Sequence, residues 1–374
     1  MRRSYSVPSK NRIQADNSAD NGSRRTGRAF GYIFLAVVGL IMGVILYIFL
    51  VLGQSLRTQI NIVDAVNFQP ISLDNIQLTE NSSNTVSWGE GGRTRVYVHP
   101  DFPIIKIDQK DPDIENVLVF GVDARTADDV VCRADSLILV TIDRKYKAIK
   151  LTSVMRDSQV DIKGRSDPDR INAAYAYGGV GLLINTLNET MDLDIQRFAM
   201  FDFWSAASLI DAVGGIEIQV TQEEVPYTNQ SIQEQNQLVP EASQSPYLEK
   251  AGLLKLDGRQ AVAWARIRKL DSDYVRTSRQ RTVMVTLLRQ VSKSQLSTLL
   301  GMANGGLNAF ETNMGSSDMI RIGLNAIPLT SRIFEYRVPE DGLYTVNPDP
   351  WMMIVDWEQQ TRALHEFIWG DPSH

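Results

Sequence analysis

The chain has 374 residues, 43% hydrophobic and 22% charged, which is enough for a buried core and excludes wholesale disorder, collagen-like repeats and a polytopic membrane protein. A single cysteine, Cys132, excludes a disulfide framework and thiolate zinc clusters, and three histidines (His99, His365, His374) leave little for a multi-histidine metal centre or a Ser-His-Asp triad. A net charge of −6 is not that of a general polyanion binder.

Residues 1–30 carry seven basic side chains (Arg2, Arg3, Lys10, Arg12, Arg24, Arg25, Arg28) against Asp16 and Asp20, so the rest of the chain bears −11. Residues 29–56 contain no Asp, Glu, Lys or Arg. A bilayer core needs about 20 apolar helical residues, whereas a cleaved signal has an apolar run of roughly 7–15 and a small-residue cleavage site. The run at 45–52 has no such site, so 30–53 is predicted as a retained transmembrane helix. Positive flanks stay inside, which places the polar tail 1–29 in the cytoplasm and everything from 54 onward outside the cell. The tail's basic residues read as topology determinants rather than nucleic-acid ligands.

Residues 54–115 read as a stalk with accessory strands at 94–98 and 104–107. Apolar, β-branched runs predict strands at 116–122, 136–142 and 148–153. A helix at 179–191, a strand at 197–201, a helix at 203–213 and a strand at 216–220 follow. The stretch 221–250 is rich in Gln, Glu, Ser and Pro without apolar period, which predicts a surface insertion. Helical patterns resume at 257–265 and 277–291. The C-terminal part, 296–374, holds a strand at 333–338 and a closing helix at 355–369. Strands and helices interspersed in this way predict an α/β/α sandwich with a mixed central sheet over 116–374.

Four polar clusters stand at element ends, where α/β proteins place ligands. They are Gly121-Val-Asp123-Ala-Arg125, then Arg133-Ala-Asp135-Ser136, then Ser153-Val-Met-Arg156-Asp157 with Arg170-Ile-Asn172. The fourth is the run Arg266, Arg268, Asp271, Asp273, Arg276, Arg279, Gln280, Arg281. Between Lys255 and Arg289 nine basic residues face three acidic ones, inside a region that is otherwise acidic. Arginine forks match phosphate oxygens bidentately, and carboxylates without His or Cys suit a hard cation, Mg²⁺ or Mn²⁺. Together they are the equipment of phosphoryl transfer. The competing reading is a solvated face laced with Asp–Arg pairs. No glycine-rich phosphate loop, HExxH or GxSxG occurs, so a nucleotide ligand is not expected. His99 and His365 read as surface or packing residues.

At these clusters the chain resembles the LytR–CpsA–Psr family of bacterial envelope proteins, closely over 116–290 and loosely beyond. Val117 to Arg125 is similar to the family's strand ending in Gly-x-Asp-x-Arg, and Arg133 to Ser136 to its Arg-x-Asp-Ser/Thr. Ser153 to Asp157 resembles Ser-x-Pro-Arg-Asp, with Met155 in place of Pro. Arg170-Ile-Asn172-Ala-Ala-Tyr175 resembles Lys-Ile-Asn-x-Ala-Tyr. Leu256-Asp-Gly258 through Arg268, then Asp271 to Gln280, resembles the Arg-rich signature, with Trp264 replacing Tyr and Val275 standing where Gly is usual.

The resemblance implies a phosphotransferase that moves a glycopolymer from a polyprenyl-pyrophosphate carrier to a peptidoglycan hydroxyl, releasing polyprenyl phosphate. By position, Asp135 and Asp273 match the Mg²⁺-associated carboxylates, with Asp123 in support. Arg156, Arg170, Arg266, Arg268 and Arg276 match the residues that hold the pyrophosphate, with Arg125 and Gln280 as further candidates. Arg156, Asp135 and Asp273 are the expected catalytic set. The apolar faces of 179–187 and 283–288 are candidates for a prenyl slot. Water as acceptor, giving a pyrophosphatase, and a non-enzymatic envelope regulator are the alternatives.

Overall fold

The computed structural model describes residues 102–122, 133–268, 270, 272–294 and 310–372, with the backbone of β1 (Asn61–Ile62), β2 (Asn84–Trp88) and β3 (Arg93–Tyr97) before them. The expected tail and transmembrane helix, 1–53, lie outside the described residues, as do Asp123, Arg125 and Asp271. Among the described residues no helix is long and apolar enough to cross a membrane. The chain divides into two units, Met1–Leu52 and Gly53–His374, and the described residues all belong to the second.

Three β-branched runs, β4 (Ile114–Val122), β5 (Ala134–Asp143) and β6 (Ala148–Val154), pair antiparallel in succession. A small hairpin follows, β7 (Gln159–Val160) with β8 (Asp169–Arg170), and then α1 (Ala173–Met191). This helix breaks at Gly178–Gly179, where Gly179 has φ of 65°, a conformation glycine adopts without strain. Next come β9 (Arg197–Phe201) and α2 (Phe203–Ala212). A separate antiparallel ribbon, β10 (Ile216–Val220) with β11 (Gly252–Leu256), encloses α3 (Glu224–Asn236). After it stand α4 (Gly258–Ala265), α5 (Asp273–Lys293), β12 (Glu311–Thr312) and α6 (Ser316–Ala326). The chain closes with β13 (Ile333–Val338), the hairpin β14 (Tyr344–Pro348) and β15 (Trp351–Val355), and α7 (Trp357–Trp369).

The main sheet runs β1-β12-β9-β4-β5-β6-β13. It is mixed, because β9 and β13 lie parallel to their neighbours β4 and β6. Alternation along each strand sends side chains to two faces. Leu118, Phe120, Leu137 and Leu139 pack against Leu183 and Leu187 of α1 and Leu364 and Ile368 of α7. Ile138, Ile149 and Leu151 face Val285 and Leu288 of α5, while Val117 meets Met319 and Ile322 of α6. Each such fully buried side chain contributes about 1.5–3 kcal/mol. Layers on both faces of the sheet match the expected sandwich.

Several elements differ from the sequence-based expectation. Residues 104–107 are not a strand; their backbone is tied to side chains instead, Ile105 N–H donating to Asn185 Oδ1 at 2.9 Å and Gln196 donating to the Ile105 carbonyl at 2.9 Å. The 221–250 stretch, read as a surface insertion without apolar period, holds a helix between the two ribbon strands. Its helix α3 buries Val225 and Ile232 in a second core with α2, α4 and the β10–β11 ribbon. Val355 ends a strand, and Asp356 caps the last helix, accepting from Gln359 N–H at 3.1 Å.

Candidate functional site

Strand register brings the first pair of predicted residues together. β5 and β6 pair Leu137 with Val154, and the same register carried two residues further sets Asp135 opposite Arg156. Their Oδ1 and Nη1 atoms lie 2.8 Å apart. Met155, standing where the family usually has Pro, donates its N–H to the Val338 carbonyl at 2.7 Å, a bond proline would forfeit. The β7–β8 hairpin pairs Gln159 with Arg170 and so returns Arg170 to the same corner. There its Nε lies 3.7 Å from Asp157 Oδ1 and donates to the Trp351 carbonyl at 3.0 Å.

The helical half is placed by capping. Asp257 accepts from Gln260 N–H at 2.8 Å while the Gln260 side chain accepts from Asp257 N–H at 2.9 Å, a reciprocal cap on α4. Gly258 follows because a Cβ there would lie 1.9 Å from the Ala207 carbonyl oxygen of α2. Helix α4, locked in this way, ends at Arg266–Arg268, and Arg268 Nη2 reaches Asp135 Oδ2 at 2.7 Å. Asp273 occupies the first turn of α5, where the helix dipole favours an acid. Arg276, one turn on, contacts both of its oxygens at 2.8 and 2.9 Å. Val275 is exposed on this helix, whose regular backbone has no need of glycine there.

Arg156 is the hub of the cluster. Besides Asp135 it approaches Asp273 (Nη2–Oδ1 3.5 Å) and Asp157 (Nε–Oδ2 3.6 Å). Burial alone would lower its pKa, but Asp135 and Asp273 outweigh that and hold it above the ordinary value. Asp135 is the converse case: burial pushes its carboxyl up, and Arg156, Arg268 and Arg276 together bring it below the usual range. Asp157 is raised, by burial first and by the charge of Asp273, against the pull of Arg156 and Arg170. Arg276 is pushed down to about 10, chiefly by burial and then by the like charge of Arg156. Only 2% exposed, Arg276 has no hydrogen-bond partner for Nε or Nη1. That guanidinium stays charged at neutral pH, buried and beside the like charge of Arg156, where an anion on its free nitrogens would offset part of the cost.

Other predicted residues lie elsewhere. The Arg266 guanidinium stands 3.8 Å from the centre of the Phe203 ring. Gln280 lines, with Arg266, Phe201, Phe203, Leu209 and Val283, a cavity of about 160 Å³. The 283–288 face thus borders an apolar cavity as expected; the 179–187 face does not, since Leu182, Leu183 and Leu187 are core on the opposite side of the sheet. Arg279 pairs with buried Glu224 (Nε–Oε1 2.8 Å) and Arg281 with Glu335 (3.0 Å). His365 Nε2 lies 2.9 Å from the Met191 carbonyl oxygen and its ring packs edge-on against Trp369. Asp157 belongs to the third polar cluster of the sequence without a role assigned to it, and the structure sets it 3.6 Å from Arg156 and 3.7 Å from Arg170. Among the described residues no group of three or more His, Cys, Asp or Glu side chains is placed to hold a metal ion. Three carboxylates, Asp135, Asp273 and Asp157, do meet the one guanidinium of Arg156.

The profile of the LytR_cpsA_psr family matches residues 62–364. The chain belongs to this family. Among LytR_cpsA_psr relatives, the polyisoprenyl-teichoic acid–peptidoglycan teichoic acid transferase TagU of Halalkalibacterium halodurans is 32% identical over 189 residues, covering 50% of this chain and 56% of that one. TagU of Bacillus licheniformis, with the same descriptive name, is 28% identical over 263 residues, 68% of this chain and 79% of the relative. The chain therefore spans little more than half of the first relative and most of the second. The fold is that of Bacillus subtilis TagT, with a TM-score of 0.54 at 24% identity over 72% of this chain and 96% of that one.

Proposed function

We propose that this chain transfers a phosphorylated glycopolymer from a polyprenyl-pyrophosphate carrier to a peptidoglycan hydroxyl, in the outer leaflet's vicinity, with residues 30–53 as its membrane anchor. The observation that carries the reading is the buried Arg276 with two unpartnered nitrogens, beside Arg156 and Arg268. Kinship with relatives named as teichoic acid transferases supports the choice of substrate. An anchor would keep the site where a lipid-linked donor resides, and the apolar cavity suits the isoprenoid units next to the pyrophosphate.

In this reading Arg156, Arg268 and Arg276 bind pyrophosphate oxygens through their forks. Those oxygens compete for the guanidinia that Asp135 and Asp273 now occupy, which releases the two carboxylates. Asp135 and Asp273 are then the residues that would hold Mg²⁺ (or Mn²⁺), which takes one or two carboxylates and completes its shell with phosphate and water oxygens. Such an ion, when bound, would supply positive charge to offset the negative charge of the phosphates. The acceptor oxygen forms a bond to the glycan-bearing phosphorus, the bridging P–O bond breaks, and polyprenyl phosphate leaves with the bond's electrons. The hydroxyl proton passes to a nearby carboxylate. Asp157, whose burial raises its proton affinity, suits that role better than Asp135, which the arginines keep ionised.

The full chain, supplied with a prenyl-pyrophosphate glycan and peptidoglycan, tests the reading. Arg156→Ala and Asp273→Ala should abolish transfer while keeping the wild-type circular dichroism. Unchanged transfer in both variants would refute it, and release of free phosphorylated glycan alone would make water the acceptor.

A further inference from the structure

Helix α3 turns one of its faces toward the charged cluster. Tyr227, Gln230, Ser231 and Glu234 recur at three- and four-residue spacing and so share a side of the helix. With Arg266 and Arg268 they line a second cavity, of about 220 Å³. The wall is fixed in place: Val225 and Ile232 are buried in the second core, and Glu224 is tied to Arg279 of α5 at 2.8 Å. Arg268 lines this cavity and also reaches Asp135 at 2.7 Å, so the cavity adjoins the charged cluster. Arg266 borders both this cavity and the apolar one.

The two cavities differ in chemistry. Apart from Ile267, the side chains lining the second all carry polar groups: an amide, a hydroxyl, a phenol, a carboxylate and two guanidinia. Such a set both donates and accepts. The lining is more polar than apolar, unlike that of the first cavity, and the Glu234 carboxylate offsets one of the two guanidinium charges. Sugar hydroxyls and an N-acetyl group match the donors and acceptors, and the Tyr227 ring offers an apolar face to a pyranose. We infer that this cavity is the subsite for a sugar of the acceptor glycan, holding it so that its hydroxyl reaches the pyrophosphate beside Asp135. The inference rests on the transfer reading above and assigns α3 the acceptor side of that reaction.

Calorimetric titration of the full chain in detergent with a peptidoglycan-derived GlcNAc–MurNAc disaccharide tests it. Gln230 and Glu234 are exposed, so the double variant Gln230→Ala, Glu234→Ala should fold. It should bind the disaccharide about tenfold more weakly, as expected for one or two lost hydrogen bonds. The KM for the acceptor should rise by a similar factor with the donor KM unmoved. Arg156→Ala, outside this cavity, should bind the disaccharide like wild type, so binding reports on the subsite whether or not transfer occurs. Failure of wild type to bind the disaccharide, unchanged affinity in the double variant, or a rise in donor KM instead would overturn the assignment. Transfer persisting in Arg156→Ala would instead count against the reading of the charged cluster.

Discussion

Arg321 and Arg276 both set a guanidinium against carboxylates, yet their surroundings complete the charge differently. Arg321 forks Glu115 at 2.7 and 2.9 Å, Arg197 adds a contact to the same carboxylate at 3.0 Å, and Asp318 lies 3.3 Å from Arg321. Two cations meet two anions, and the hydrogen bond to Glu115 holds Arg321 above its ordinary pKa. In the other cluster Arg156, Arg170, Arg268 and Arg276 meet Asp135, Asp157 and Asp273, and Arg276 is depressed rather than raised. The first arrangement is closed and joins α6 to the sheet. Among the described residues the second sets four guanidinia against three carboxylates and leaves Arg276 buried with two unpartnered nitrogens, which costs folding free energy.

Replacing Arg276 should break this contrast most sharply. Arg276→Met keeps volume and removes the charge, so transfer should fall about 10²-fold or more, the usual cost of one donor aimed at developing charge. Its melting temperature should change little, because relief of the buried charge offsets the lost pairing with Asp273, which Arg156 still approaches. Inorganic pyrophosphate should raise the melting temperature of wild type and not that of the variant. A drop in melting temperature together with intact transfer would make Arg276 a structural residue. Arg321→Ala should behave in the opposite way. It should lose about 1 kcal/mol in denaturant unfolding, discounted because Arg321 is partly exposed and Arg197 still pairs with Glu115, and it should transfer glycan at the wild-type rate.

This contrast could not be read from the sequence, where both clusters are arginines near acids. The strands 116–122 and 333–338 were legible because long β-branched runs have few alternatives, and the order of motifs carried the family resemblance. Register was not legible: that Asp135 faces Arg156 follows from the pairing of β5 with β6, which no local signal announces. Arg276 and Arg279, three residues apart on one helix, look alike in sequence, yet one serves the charged cluster and the other pairs with Glu224, 55 residues away. Helix α3 was missed because its composition is polar, and a few buried side chains such as Val225 and Ile232 suffice to dock it. The β14–β15 hairpin was missed because both strands are short, although Asp349-Pro350 marks the turn between them.

The smallest expected effect separates the acids within the open cluster. For Asp157 the folded pKa lies above the ordinary 3.8, so the native state holds the proton more tightly than the unfolded chain. Its contribution to stability is therefore greatest at acid pH and is lost as pH rises from 3.8 through the folded value. Asp157→Asn cannot ionise; it should match wild type at low pH and become more stable above that window, by less than about 1 kcal/mol, because Arg156 and Arg170 already offset part of the charge. Asp135 has the opposite sign. Its pKa is lowered, so its contribution is present above 3.8 and disappears as pH falls through the folded value. Asp135→Asn should accordingly lose stability at neutral pH and converge with wild type in acid. Denaturant midpoints measured across pH 3–8 would show the two difference curves diverging from acid in opposite directions. Curves of the same sign would mean that both carboxylates are equally well paired, and that the cluster is as closed as the one around Glu115.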